Sequence, residues 1–252
     1  MYAEERQQQI LQAIEQDGRV SVSALARRFE VATETIRRDL DALSLAGLLT
    51  RVHGGAIPSR SGDEPDLPTR LSTNTAAKRR IARAAAAYLP AGSDPTILLD
   101  AGSTTIELIP HLQGRDLRVV TNSLPVAESA LAMNVPAVDM LPGRVRGLTR
   151  AAVGVDTVHA LARIHPDVAF IGCNGMGPAG ITTPDPDEAA TKSAMMEAAS
   201  RRIILADSSK AGQVQLITFA ETGDVDVLIS DTSLSDAHVH LFEDQGIEVV
   251  RA

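Results

Sequence analysis

Seven short, mostly apolar runs recur through the last 160 or so residues, and they constrain the fold more than anything else in the chain. They are TILLD at 96–100, LRVVT at 117–121, AVDML at 137–141, DVAFIG at 167–172, RIILAD at 201–206, DVLIS at 226–230 and IEVV at 247–250. Most are separated by amphipathic segments of helix length. Apolar runs this short and without polar alternation suit strands buried on both faces, and strands alternating with helices give a largely parallel sheet covered on both sides. Residues 76–252 are therefore expected to form a three-layer α/β/α domain. Ligands of such sheets bind beyond the carboxyl ends of the strands. The loops DAGSTT, TNSLP, PGRVRG, GCNGMGPAG and ADSSKAG are where a site should lie.

Residues 1–57 follow a different pattern. Ile10, Leu11 and Ile14 fall at helical spacing before Asp17-Gly18, and Ser21 or Ser23 can cap a second helix that buries Leu25, Ala26 and Phe29. Thr33 is the expected N-cap of a third helix burying Ile36, Leu40 and Leu43, stopped by Gly47. LLTRVHGGAI then reads as two short strands around a Gly-Gly turn. Three helices and a hairpin outline a winged helix-turn-helix. Residues 58–75, rich in Pro, Ser, Thr and Asp, read as a linker.

Charge supports the division. The chain has formal net charge -8, yet residues 1–60 hold eight Arg and eight acidic residues, so all the excess negative charge lies later. A neutral N-terminal segment can approach a polyanion that the remainder repels. Arg37 and Arg38 fall off the apolar stripe of the third helix, and Arg27 and Arg28 sit one helix earlier. A recognition helix needs this arrangement, with the apolar face docked and polar residues free for the major groove. Arginine suits base edges and phosphates alike. The competing reading makes the pair a solvated face matched to Glu34 and Asp41.

The remaining composition excludes several classes. Aromatics make up 2% of residues with no Trp, which disfavours stacking platforms for single strands. No run approaches the apolar length of a membrane span, MYAEERQQQ lacks a signal-peptide core, and the single Cys173 fits a reducing compartment. These features predict a cytoplasmic protein with no membrane partner. The six histidines show no metal spacing, so no metal and no cofactor is expected.

In the second domain, Gly102 permits close backbone approach, while Ser103, Thr104 and Thr105 add hydroxyls at a helix start, an arrangement suited to an anion. Asn122 can orient a hydroxyl or cap a helix. GMGPAG at 175–180 has the spacing of a dinucleotide fingerprint, but Pro178 interrupts it and ITTP follows where a helix is needed. Asp185, Pro186 and Glu188 give concordant signals for the start of a helix. Glu188 and Lys192, four apart, are either a surface ion pair or pocket groups. Lys192 and Lys210 are two of only three lysines, and Lys210 follows a strand end. Arg144 and Arg146 are further anion candidates.

The stretches MYAEERQQQIL, GRVSVSALARRFEVATETIRRDLDALSLAGLLTRVHGGA, GITTPDPDEAATK and ADSSKAG resemble the DeoR family of bacterial repressors, over essentially the whole chain. The resemblance is closest to the actinobacterial branch that controls fructose and other sugar-uptake genes. Glu30 stands in a turn where the family often has Gly, and Pro142-Gly143 where many relatives have two glycines. By this resemblance Arg27, Thr33, Thr35, Arg37, Arg38, Arg51 and His53 would contact operator double-stranded DNA. The second domain would have the fold of ribose-5-phosphate isomerase. Asp100 to Thr105 would hold a phosphate, with Thr121, Asn122, Ser123, Arg144, Asn174, Glu188, Lys192, Asp207 and Lys210 around the sugar. The implied function is a repressor, acting as a dimer or tetramer and released by a phosphorylated sugar, fructose 1-phosphate first and fructose 1,6-bisphosphate next. Alternatives are an activator, or an unphosphorylated or nucleoside-derived effector. An isomerase-like enzyme is disfavoured because GCNGMG carries no carboxylate where isomerases need a base.

Overall fold

The computed structural model describes residues 3–45, 49–52, 54–58 and 64–252. The chain divides into two compact units, Met1–Glu64 and Pro65–Ala252.

In the first unit, helices α1 (Ala3–Asp17), α2 (Val22–Phe29) and α3 (Thr33–Leu45) surround a core of Ile10, Ile14, Leu25, Ile36 and Leu40. A small antiparallel sheet joins β1 (Val20–Ser21), β3 (Gly55–Pro58) and β2 (Leu49–Val52) in that order. This is the winged helix-turn-helix expected from the sequence. Ser21 is the N-cap of α2, its hydroxyl accepting from the Ala24 amide at 3.2 Å. Glu30 ends α2 in the left-handed region, φ 54°, so the turn takes the glycine-like conformation with a side chain present. Thr33 is the first residue of α3 rather than its cap, because the Ala32 carbonyl already accepts from Thr35 and Ile36. Val52 of β2 pairs with Gly55 of β3, so the second glycine of the expected Gly-Gly turn lies in the strand. Gly55 belongs to β3, where a Cβ would lie 2.0 Å from the Val20 carbonyl oxygen. The stop expected at Gly47 lies outside the described residues.

A buried clamp ties α1 to α3. Arg6 presents Nε and Nη2 to the two carboxylate oxygens of Asp39, a fork-to-fork geometry, with both residues under a tenth exposed.

The second unit begins with α4 (Leu67–Ser72), which occupies part of the stretch read as linker. Asp66 caps it and Leu67 is buried, which the Pro- and Ser-rich composition conceals. Helix α5 (Thr75–Ala85) follows, and then all seven anticipated strands form one sheet. They are β4 (Thr96–Leu99), β5 (Arg118–Thr121), β6 (Ala137–Met140), β9 (Val168–Gly172), β12 (Arg201–Leu205), β14 (Val227–Ser230) and β15 (Glu248–Arg251). The sheet order is β15-β14-β12-β9-β4-β5-β6, and every pairing is parallel.

Successive residues point to opposite layers. Ile97 and Leu99 pack with Ile81 and Ala85 of α5 and with Val126 of α6 (Leu124–Ala132). Leu98 faces the other way, into a cluster holding Leu161 of α7 (Val155–Leu161), Met195 of α8 (Pro186–Ala198) and Phe242 of α9 (Asp236–Glu243). The helix expected after DAGSTT is a 3₁₀ helix, Thr105–Leu112, with Pro110 inside it; proline supplies no amide for an α-type bond. Two short antiparallel additions were not anticipated: β7 (Arg144–Arg146) with β8 (Ala151–Val153), and β10 (Gly175–Gly177) with β11 (Gly180–Thr183) and β13 (Ile217–Ala220). GMGPAG is thus the turn of the β10–β11 hairpin, not a strand-to-helix phosphate loop.

Candidate functional site

The exposed face of α3 carries the expected polar set. Ile36, Asp39 and Leu40 are buried, while Thr33, Arg37 and Arg38 are exposed and Thr35 half-buried. Arg37 meets Glu34 at 3.2 Å, but both side chains are more than half exposed, and such a pair is worth only about 0.2–1 kcal/mol. A phosphate could displace it at small cost. Arg27 and Arg28 project from the last turn of α2. Arg51, on the wing strand β2, turns back to Asp41 of α3 at 3.1 Å, so one edge of its guanidinium braces the wing against the helix. His53 lies outside the described residues.

In the second unit the chain runs from β4 outward to β6, then returns to β9 beside β4 and continues the other way. The switch point of the sheet is therefore between β4 and β9, where ligand crevices form in such folds. Asp100, just past β4, is buried there and saturated. Its Oδ1 accepts from the Gly102 amide at 2.9 Å and the Thr105 hydroxyl at 2.7 Å. Its Oδ2 accepts from the Gly172 amide at 2.9 Å and from Lys192 Nζ. Lys192 also donates to the Gly172 carbonyl at 2.9 Å, bridging the two switch-point strands. Gly102 is required here, because a Cβ would come 2.8 Å from Asp100 Oδ1.

Glu188 and Lys192 both line a cavity beside this pair, together with Arg70, Ala101, Asn122 and Ala151. They are not the surface ion pair that their spacing allows. Both are under a tenth exposed and each has other partners. Asp185 caps α8 by accepting from the amides of Asp187 and Glu188, each at 3.0 Å, which fixes the first turn against the strand ends. Glu188 Oε1 then accepts from the Thr149 hydroxyl at 2.5 Å and from Arg146 at 3.2 Å. The enclosed space is about 10 Å³, close to that of one water. A sugar-sized ligand has to displace part of the lining.

The other expected residues surround this centre with unequal roles. Ser103 and Thr104 are buried at the start of the 3₁₀ helix. Thr121 donates to the Leu99 carbonyl at 2.7 Å, and Ser123 caps α6. Asn122 donates to the Ala152 carbonyl at 2.9 Å. Asn174 accepts from the Thr183 hydroxyl at 3.0 Å. Asp207 is buried and accepts from Asn74 at 3.0 Å, and Lys210 closes the short 3₁₀ turn after it. Arg144 is exposed and paired with Asp187 at 2.6 Å, whereas Arg146, two residues on, reaches inward to Asp185 and Glu188. Burial pushes the Cys173 thiol up to about 12, away from any activated thiolate.

Arg70 and Thr149 were invisible in the sequence as site residues, the first hidden in a stretch of linker composition. Lys78, counted only as the third lysine, is buried on α5, and its Nζ donates to the Arg70 carbonyl. Among the described residues, no group of three or more His, Cys, Asp or Glu could hold a metal ion. Among the same residues, no helix is long and apolar enough to cross a membrane.

Comparison with known proteins agrees with both halves. The DeoR-like helix-turn-helix domain matches residues 6–61, and the DeoR C-terminal sensor domain matches residues 73–232. The chain is 36% identical over 234 residues to the uncharacterized HTH-type transcriptional regulator FruR of Bacillus subtilis (strain 168), covering 92% of each. It is 32% identical to the glycerol-3-phosphate regulon repressor of Escherichia coli (strain K12), covering 94% of this chain and 97% of that one. Among solved structures, ribose 5-phosphate isomerase A from Methanocaldococcus jannaschii is similar at 17% identity and a TM-score of 0.40, over 55% of each chain. The likeness thus spans only about half the length of that isomerase, and no activity transfers with it. The near full-length relatives are regulators, not enzymes, and the chain belongs to the DeoR family of helix-turn-helix transcriptional repressors.

Proposed function

We propose that this repressor binds operator DNA through α3 and the wing, and releases it when a phosphorylated sugar enters the switch-point pocket. The observation that carries the reading is the pocket itself. A buried lysine–aspartate pair at the ends of β4 and β9 is bordered by Arg70, Asn122 and Glu188, a mixture of cation, acceptor and carboxylate suited to an anionic polyol. The 36% identity to a regulator named FruR favours fructose 1-phosphate, with fructose 1,6-bisphosphate second. A relative named for glycerol 3-phosphate supports phosphorylated ligands as the class. Because the enclosed space is so small, ligand entry must move lining residues, and this gives the bound and free states different structures. A coupling of about 1–3 kcal/mol between effector and DNA is the usual scale. A dimer or tetramer supplies the second recognition helix that tight operator binding needs.

The test is thermal unfolding of the full chain against sugar phosphates and the matching free sugars, with operator release followed in parallel. A ligand at 100 times its Kd adds about 2.7 kcal/mol of stability. Stabilisation and release by a ketose phosphate but not by the free ketose supports the reading. Stabilisation by free sugars or nucleosides alone overturns its phosphate half.

A further inference from the structure

Helix α5 is charged in one sign only. Its sequence, TAAKRRIARAA, holds Lys78, Arg79, Arg80 and Arg83 and no acidic residue, in the part of the chain that carries all the excess negative charge. Lys78 is buried and has its own partner in the Arg70 carbonyl. The three arginines are neighbours on the helix surface. Arg79 and Arg83 are four apart and Arg80 and Arg83 three apart, spacings at which like charges repel and weaken a helix. A merely solvated face would mix the two signs, and the helix dipole favours only Arg83, in the last turn. The arginines also border a cavity. Ile81, Ala82 and Ala85 of α5 pack with Leu108, Ile109 and Leu112 of the 3₁₀ helix. Outside that contact lies a cleft of about 380 Å³, lined by Arg79, Arg80, Arg83, Glu107, Pro110 and His111. Its size is that of a small-ligand site. Arg79 Nε donates to Glu107 at 3.4 Å, a long and exposed pair. Arg80 Nε donates to the Ala252 carbonyl at 3.3 Å, and among the described residues it meets no carboxylate side chain. Among the same residues Arg83 makes no ion pair. Three guanidiniums against one carboxylate leave two positive charges uncompensated.

We infer that this cleft is a second ligand site of the unit and binds a small organic dicarboxylate. The two uncompensated charges call for a dianion, and a guanidinium takes a carboxylate by two parallel hydrogen bonds, so Arg80 and Arg83 can each hold one end. The carbon chain between the ends lies against Pro110 and the apolar stems of the arginines. Phosphate sites draw on hydroxyls and on backbone amides at a helix start. Among the described residues this lining has no Ser or Thr, and the arginines sit past the first turn of α5. The lining shares no described residue with that of the switch-point cavity, so the inference stands apart from the effector proposed above.

The test is calorimetric titration of the full chain with succinate, glutarate, the monoanion propionate and inorganic phosphate. In the wild type the better dicarboxylate should bind with a Kd at or below about 1 mM, and propionate at least ~10-fold more weakly. Arg83→Ala alters an exposed side chain, so folding is not at issue, and it should weaken dicarboxylate binding at least ~10-fold. Glu107→Gln removes the competing carboxylate and should tighten binding several-fold. Failure of both dicarboxylates to bind the wild type overturns the inference. Binding that Arg83→Ala leaves unchanged also overturns it, because the anion is then held elsewhere, the switch point included. Phosphate binding more tightly than either dicarboxylate overturns the ligand class. None of these outcomes touches the repressor reading, which is decided by sugar phosphates and operator release.

Discussion

Lys192 on α8 and Asp100 at the end of β4 are 92 residues apart in sequence and share a buried ion pair that closes the sheet's switch point. Removing one partner from such a pair leaves an uncompensated charge in the interior, typically at a cost of 3–5 kcal/mol. Lys192→Met should therefore destabilise the second unit by about 3 kcal/mol, the three remaining donors to Asp100 holding the loss at the low end. Pairing it with Asp100→Asn should recover part of that loss in urea denaturation. A single mutant as stable as the wild type would show the pair to be dispensable.

The Arg6–Asp39 clamp makes an equivalent prediction for the first unit. Its hydrogen bond to Asp39 holds the Arg6 guanidinium above its ordinary value, so Arg6 stays charged at any working pH. Arg6→Leu removes the ion partner of buried Asp39, leaving the long bond from Gln7 at 3.4 Å, and should cost about 3 kcal/mol. DNA affinity should fall with it although Arg6 is buried on the far side of α3 from Arg37. Urea denaturation and DNA titration of the same variant check both halves.

On the exposed face, Arg37→Ala should weaken operator binding by about 1–3 kcal/mol and relax preference at one base position if Arg37 reads a base. Arg38→Ala, if the residue meets phosphate, should lower the salt slope by about one unit without changing preference. Gel-shift titrations at several salt concentrations separate these outcomes. Unchanged affinity in both variants would remove α3 from the interface.

Lys78 predicts a dependence on alkaline pH. Burial pulls its ammonium down to about 8; Asp207 and Glu107 oppose the fall, while Lys210 and Arg70 add to it. An unfolded lysine titrates near 10.4, so between these values the unfolded chain binds the extra proton. Stability contributed by this group must then rise with pH from about 8 to about 10, by at most about 1.4 kcal/mol per pH unit, and be flat below that window. Lys78→Met should abolish the slope in urea midpoints measured across that range. Identical slopes in the two proteins would place the titration elsewhere.

The strands of the main sheet were legible because a strand buried on both faces must be apolar at consecutive positions, and Leu98 and Leu99 meet different layers. Strands β7, β8, β10 and β11 were not, because three or four residues such as Arg144-Val145-Arg146 carry no period of their own and pair only in the context of the fold. Capping chemistry at Ser21 and Asp185 is local and was readable. The partners of Glu188 and Lys192 are not local. Helical spacing puts the two side chains side by side, but the docking of α8 on the strand ends gives one to Thr149 and the other to Asp100. Arg144 and Arg146 are likewise indistinguishable by pattern, and only their distance from the first turn of α8 sets an exposed pair apart from a half-buried one.

An all-parallel sheet makes the two rims of the second unit unequal. The turns that lead into the strands, such as Ala91–Asp94 ahead of β4, lie at the opposite rim from Asp100, Asn122 and Asp207. Length can change at that rim without disturbing the register of the pocket, so an engineer wishing to attach a fluorescent reporter has a natural insertion point in the exposed 91–94 turn. The same freedom is denied to the other rim, where one added residue between Leu99 and Gly102 would pull apart every bond that Asp100 makes.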